Sequence, residues 1–299
     1  MIRNSSWYLR AWEGLQRLAT PSDWPARLVS RFGPGAVQVT REDVTLAKSL
    51  GESSTLRVGF AADLHAGAIT PRSLIEAACS ALRDLEPDVI LLGGDFVSLR
   101  TRDVEHLRGP LAELSAPLGV FAVLGNHDHW VGIGPVRSVL ERAGIRLLNN
   151  RSHRLDPPFS NTLIVGLDDH TAGWPDASQA TWDPGAATVL LLHQPSGVLD
   201  AGDHPFDMAL AGHTHAGQIV LPGGLALVTP DGALSRRYRV GRHILDLGQE
   251  LLVTRGVGNS GIPFRLGAPS EVVICTVYGR PSPHATSSAA QPALAAGLA

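Results

Sequence analysis

Five short blocks gather the donor atoms of this chain into metal-binding spacings: Asp63-Leu-His65, Gly94-Asp95, Gly125-Asn126-His127-Asp128, His193 and Gly212-His213-Thr214-His215. Seven of these residues, Asp63, His65, Asp95, Asn126, His193, His213 and His215, offer carboxylate oxygen, amide oxygen or imidazole nitrogen. Those are the donors that hard and borderline divalent ions take. Each residue stands at the end of an apolar run that reads as a strand. A set of that size holds two divalent ions a few ångströms apart, and such a pair is a device for attacking phosphate esters. Singly, the blocks say little. A histidine after a strand, such as His193, is ordinarily structural, Gly93-Gly94 is ordinarily a turn, and Gly-His-Thr-His alone suits a two-histidine zinc site. The ordered set is what points to a binuclear centre.

Elements that alternate along the chain must position these residues. Leu56 to Ala62 reads as a buried strand ending at Asp63 and His65, which are two apart on an extended segment and so leave it on one face. Thr70-Pro71 opens a helix with Leu74, Ile75, Ala78, Leu82 and Leu85 on its apolar stripe, running to Glu86. Val89 to Leu92 is a strand that delivers Asp95 through two glycines, and Val120 to Leu124 is one that delivers Asn126 through Gly125. Helices are expected over Val104 to Leu114 and Val136 to Ala143. Leu163 to Leu167, Val189 to Leu192 and Met208 to Ala211 are further strands, the last two ending at His193 and His213. After Gln218 the helical pattern stops, and short strands follow at Ile244 to Leu247, Leu251 to Thr254 and Val272 to Val277. The reading is α/β, two sheets packed face to face with helices outside. All the candidate ligands lie at carboxyl ends of strands, the edge where α/β sites collect. His129, two past His127, is a candidate for the same pocket, whereas His106, His153, His204, His243 and His284 have no such context and read as ordinary surface residues.

Composition narrows the function. The chain has 299 residues, 44% of them hydrophobic, enough for one sizeable domain. A net charge of −3 and the lack of a basic stripe with interleaved aromatics speak against nucleic acid as a partner. The two cysteines, Cys79 and Cys275, sit in apolar runs and read as small core residues. No stretch reaches the ~20 apolar residues of a spanning helix, and Met1 to Ala19 holds no uninterrupted apolar run of the kind that marks a signal peptide. A cytoplasmic protein is expected, peripheral at most on the inner face of a membrane. Three parts are expected: an amphipathic segment over 1–36, a domain over 37–280 and a disordered Ala, Ser and Pro-rich tail over 281–299. The N-terminal segment sets five arginines against Glu13 and Asp23, with Trp7, Ala11, Leu15 and Leu18 at helical spacing. It is either a surface helix folded on the body or a helix lying in a membrane interface.

From about Val37 to Val277 the chain resembles the calcineurin-like metallophosphoesterase superfamily, whose Asp-x-His, Gly-Asp, Gly-Asn-His-Asp, His and Gly-His-x-His blocks occur here in the same order. Gly212-His-Thr-His-Ala-Gly-Gln218 and Arg255-Gly-Val-Gly-Asn-Ser-Gly-Ile-Pro-Phe-Arg265 resemble a bacterial branch that includes membrane-associated phosphohydrolases and a UDP-2,3-diacylglucosamine pyrophosphatase. The resemblance implies a four-layer α/β/β/α sandwich of two mixed sheets flanked by helices. It implies that Asp63, His65, Asp95 and His215 hold one ion and that Asp95, Asn126, His193 and His213 hold the other, Asp95 bridging. His127 then faces the scissile phosphate without binding metal. One departure stands out. Many members follow Gly-Asp-x-x with an Asp that orients this histidine; here the position is Ser98, which carries no charge, leaving Asp128 or a residue from elsewhere to substitute.

The reaction implied is hydrolysis of a phosphodiester or pyrophosphate bond of a small-molecule, nucleotide or lipid-linked substrate, with a metal-bridging hydroxide attacking phosphorus. Asn126 and His127 are the catalytic candidates: both neutralise charge on the phosphate, and His127 protonates the leaving group. Arg255 and Arg265 lie in a glycine-rich loop after a strand, where each either forks a phosphate or pins the loop. The two ions are of the Mn²⁺, Fe²⁺, Zn²⁺ or Mg²⁺ kind, since no thiolate joins the set. The alternatives are a phosphomonoesterase or protein phosphatase on the same core and a non-catalytic scaffold, which loss of several ligands would have favoured.

Overall fold

A computed structural model describes residues 36–227 and 233–281. Apart from residues 36 and 281, the segments 1–36 and 281–299 singled out above lie outside the described residues.

Nearly continuous Val, Leu, Ile and Ala runs form the inner strands because both faces of those strands are covered. The first sheet contains β1 (Gln38–Thr45), β2 (Thr55–Ala61), β3 (Val89–Leu92), β4 (Val120–Ala122), β5 (Arg146–Leu147) and β14 (Glu271–Tyr278). Its order is β1-β14-β2-β3-β4-β5. The second contains β6 (Arg151–Arg154), β7 (Thr162–Gly166), β8 (Ala187–Leu191), β9 (Met208–Ala211), β12 (Gly241–Ile244) and β13 (Glu250–Val253). Its order is β12-β13-β9-β8-β7-β6. A two-stranded ribbon, β10 (Val220–Leu221) with β11 (Leu225–Ala226), stands apart. Both sheets are mixed. In the first, β2, β3 and β4 run parallel while β14 pairs antiparallel to β2; in the second, β7, β8, β9 and β13 run parallel.

Side-chain alternation divides each strand between two interiors. Val58, Phe60, Val89, Leu91 and Phe121 face the second sheet and meet Val189, Leu191, Met208 and Leu210 there. Ile90, Leu92, Val120 and Ala122 face the helices instead. These helices are α1 (Arg72–Asp84), α2 (Arg108–Ala112), α3 (Asn126–Val131) and α4 (Ile133–Arg142). In α1, Leu74, Ile75, Ala78, Cys79 and Leu82 form the buried stripe, and the helix ends where Leu85 caps it and Glu86 turns left-handed at φ 47°. A third cluster covers the outer face of the second sheet, with Leu163, Val165, Leu190, Ala209 and Leu251. Among the described residues the cover there is thin: a 3₁₀ turn over Pro195–Ala201 and α5 (Ala233–Arg237). The expected four-layer sandwich is thus present, with one helical layer substantial and the other slight among the described residues.

Three expectations of detail are corrected. The run 101–112 is a 3₁₀ turn followed by the short α2, because Gly109 and Pro110 fall inside it. The strand expected at Ile244 to Leu247 lies earlier, at Gly241–Ile244; Leu247 is on the turn that follows and is 88% exposed. The C-terminal part is not free of helix, since α5 interrupts it. Cys79 and Cys275 are buried free thiols, as read. Among the described residues no helix is long and apolar enough to cross a membrane.

Candidate metal centre

The parallel strands β2, β3 and β4 end side by side, and β8 and β9 end opposite them across the seam between the sheets. Asp63 and His65 follow β2, Asp95 follows β3, Asn126 follows β4, His193 follows β8, and His213 and His215 follow β9. All seven are gathered at this one edge. Hydrogen bonds knit the seam: the His213 amide donates to both Asp63 oxygens (3.0 and 2.9 Å), and His193 Nδ1 donates to Gly93 O (2.8 Å). That last bond puts the proton of a neutral His193 on Nδ1 and leaves the Nε2 lone pair facing the cluster.

The donor atoms converge. His65 Nε2 lies 3.0 Å from His215 Nε2, and His215 Nε2 lies 3.7 Å from Asp63 Oδ1. His193 Nε2 lies 3.0 Å from Asn126 Oδ1 and 3.1 Å from His213 Nδ1. Asp95 stands between the two groups. Its Oδ1 accepts from the His127 amide (2.8 Å), while Oδ2 lies 3.4 Å from His65 Nε2 and 3.3 Å from His193 Nε2. Donors bound to one ion at about 2.0–2.2 Å sit about 3 Å apart when adjacent, and these spacings are of that size, with Asp95 between the two groups. Two glycines leave room for the carboxylates: a Cβ on Gly125 would strike Asp95 Oδ1, and one on Gly212 would strike Asp63 Oδ2. Asp63, His65, Asp95, His213 and His215 all take left-handed backbone, with φ between 43° and 71°. For residues with a Cβ this conformation is strained and concentrates at functional sites.

The electrostatics match a cation-binding cluster. Burial, then His127, hold His65 well below the ordinary imidazole range; burial, then the Arg265 guanidinium, do so for His215; burial, then His193, bring His213 down to about 4. These rings present lone pairs at neutral pH. Burial pushes Asp63 up to about 7. Burial also opposes charge on Asp95 and His193, yet Asp95 is held well below the carboxylate range, chiefly by His193, and His193 well above the imidazole range, chiefly by Asp95. Buried polar groups of this kind must be paired with one another or coordinate a metal.

His127 sits beside the cluster. Its Nδ1 donates to the backbone carbonyl of Ser98 (2.7 Å), and its ring meets the His65 ring edge-on at 4.6 Å. The group that orients this histidine is therefore a main-chain oxygen, and no side-chain pattern in the sequence would have disclosed it. Asp128 does not substitute for the missing carboxylate. It is buried and clamps the loops, its Oδ1 accepting from the Phe96 and Val97 amides and its Oδ2 from Gly125 N. His129 points elsewhere as well, donating from Nε2 to Asp168 Oδ1 (2.7 Å). His153 packs on Phe121, His204 on Trp182 and His243 against Tyr238, none of them in the cluster.

The two arginines turn inward. Arg265 donates to Gly258 O from Nε (3.0 Å) and again from Nη2, and from Nη1 to Arg255 O (2.8 Å) and Ala268 O (3.2 Å); its remaining Nη2 hydrogen faces His215 Nδ1 at 2.9 Å. Only the N–H facing His215 Nδ1 is not given to a carbonyl, too few for a bidentate phosphate fork. Arg255 Nη2 is 2.5 Å from Glu271 Oε2 and 3.2 Å from Thr40 Oγ1. For both, the geometry favours pinning the loop. Arg265→Lys is accordingly expected to destabilise the fold by roughly 2–4 kcal/mol, since one ammonium cannot serve three buried carbonyls. Thermal unfolding checks this; an unchanged unfolding temperature together with a raised KM would give the fork to substrate instead.

Fold and site together define a metal-dependent phosphoester hydrolase. The profile of the calcineurin-like phosphoesterases matches residues 56–217. The chain belongs to that family. It is 33% identical over 236 residues to the phosphodiesterase YaeI of Escherichia coli, covering 76% of this chain and 83% of that protein. It is 29% identical over 243 residues to an uncharacterized metallophosphoesterase of Aquifex aeolicus (78% and 89% covered). It is 27% identical over 281 residues to the UDP-2,3-diacylglucosamine pyrophosphatase LpxG of Chlamydia trachomatis (75% and 84% covered).

Proposed function

We propose that the chain hydrolyses a phosphodiester or pyrophosphate bond of a small-molecule, nucleotide or lipid-linked substrate at a centre that takes two divalent ions. Asp63, His65, Asp95 and His215 would hold one ion, and Asp95, Asn126, His193 and His213 the other. The observation that carries this reading is Asp95 Oδ2, 3.3–3.4 Å from an imidazole nitrogen of each group. When bound, such a pair supplies Lewis acidity: it lowers the pKa of water and neutralises charge on the phosphate. The ligand set is oxygen and nitrogen only, which suits Mn²⁺, Fe²⁺, Zn²⁺ or Mg²⁺.

The remaining work falls to the chain's own groups. Asp95 Oδ1, by accepting the His127 amide, sets the backbone from which the imidazole projects. With Nδ1–H committed to Ser98 O, His127 keeps Nε2 for the substrate, where it holds a proton and passes it to the departing oxygen. Asn126, next in the chain, combines an amide oxygen for the centre with an amide N–H that is a donor to a phosphate oxygen. A relative named as a phosphodiesterase and one named as a lipid-nucleotide pyrophosphatase support the bond type. If the substrate is lipid-linked, work on the inner face of a membrane follows.

The test is a release assay on metal-loaded protein with a diester, a monoester and a pyrophosphate side by side. Turnover is expected on the diester or the pyrophosphate at least about tenfold above the monoester. Preference for the monoester would move the reading to a phosphomonoesterase. No turnover on any of the three, with both ions bound, would leave a scaffold.

A further inference from the structure

Taking His127 as the proton donor proposed above, we propose that Trp130 is its positioning residue, fixing the plane of an imidazole whose Nδ1 is held by the Ser98 carbonyl. One hydrogen bond, Nδ1 to Ser98 O, anchors one ring atom and leaves the ring free to swing about that contact. Two ring contacts remove the freedom. On the inner side the His65 ring stands at 4.6 Å and 88°, and on the outer side the Trp130 indole lies at 4.5 Å and 48°. Residues 127 and 130 are three apart on α3, so they share one helix face. The His65 side is buried. The indole is 48% exposed, and the imidazole between the two rings is partly buried.

Trp130 thus does two things through His127. It stops the ring from rotating away from the His65 side, and it thereby fixes the direction in which Nε2 points. A displaced donor is costly: an error of about 1 Å in a reacting group lowers rate by roughly 10²-fold. The cost is largest where the leaving group most needs its proton.

The experiment is a double-mutant cycle with wild type, Trp130→Ala, His127→Ala and the double variant, each loaded with Mn²⁺, on an alkyl and a nitrophenyl phosphodiester. Trp130→Ala is expected to lower kcat on the alkyl ester by roughly 10- to 100-fold, with KM and metal content unchanged and a smaller loss on the nitrophenyl ester. Trp130→Phe is expected to restore most of the loss. In the His127→Ala background, Trp130→Ala should change nothing further. An equal loss in both backgrounds overturns the inference, because Trp130 would then act on substrate or fold directly; so does a raised KM with kcat intact. Wild-type turnover of His127→Ala overturns the proton-donor reading itself, an outcome visible without any Trp130 variant. Should the alanine variant not fold, Trp130→Leu, which keeps bulk without a ring face, enters the same cycle with the same expectations.

Discussion

Replacing Asp95 by asparagine will remove metal and activity together while leaving the fold in place. The substitution keeps the shape of the side chain and deletes its charge. Asparagine's oxygen can still accept the His127 amide, as Asp95 Oδ1 does at 2.8 Å. Its NH₂ then points at the two imidazole nitrogens that Oδ2 faces at 3.4 and 3.3 Å, and a donor there cannot bind a cation. Both groups of ligands lose their shared anion at once. Loss of several kcal/mol of charge stabilisation corresponds to a fall in turnover of ~10³-fold or more. The inter-sheet core does not include this residue, so cooperative unfolding should persist. Elemental analysis, thermal unfolding and kcat check the three parts. Two ions per chain with near-normal turnover would sink the shared-ligand assignment.

His127→Ala should separate chemistry from binding. The ring is not among the proposed ligands, although its nitrogen lies near His65 and Asp95. Both ions should therefore stay. Turnover should fall by roughly 10²–10⁴, the range for a lost general acid. The loss should shrink for nitrophenolate, which leaves without a proton. Equal losses on good and poor leaving groups would mean that the ring acts through charge alone. Loss of metal from this variant would make His127 a ligand and overturn its role.

That the seven candidate ligands gather at one edge was legible because each follows an apolar run, and the runs became β2, β3, β4, β8 and β9; Met208–Ala211 matches the expected strand end to end. Pairing was not legible. Residues 271–278 insert between 38–45 and 55–61, a contact no local pattern announces. The strand β1 itself, with Arg41, Glu42 and Asp43 in its middle, looks like solvated loop and is held as the edge strand of its sheet. The missing carboxylate at Ser98 showed that something else must orient His127, but the answer was a carbonyl oxygen, which every residue has. The fate of the arginines was likewise hidden, since a guanidinium that binds phosphate and one that binds three carbonyls look the same in sequence. The left-handed turns at the ligands fall on Asp and His, where glycine would be the usual marker.

Those turns set the direction in which the protein would drift if selection on its reaction were lifted. Each left-handed residue with a Cβ costs about 1 kcal/mol that glycine would not. At positions 63, 65, 95, 213 and 215 a change to glycine would relax the backbone and erase a donor atom in the same step. Stability and chemistry therefore pull against each other at five places in one edge of the sandwich. An inactive descendant would be reached downhill, one relieved turn at a time.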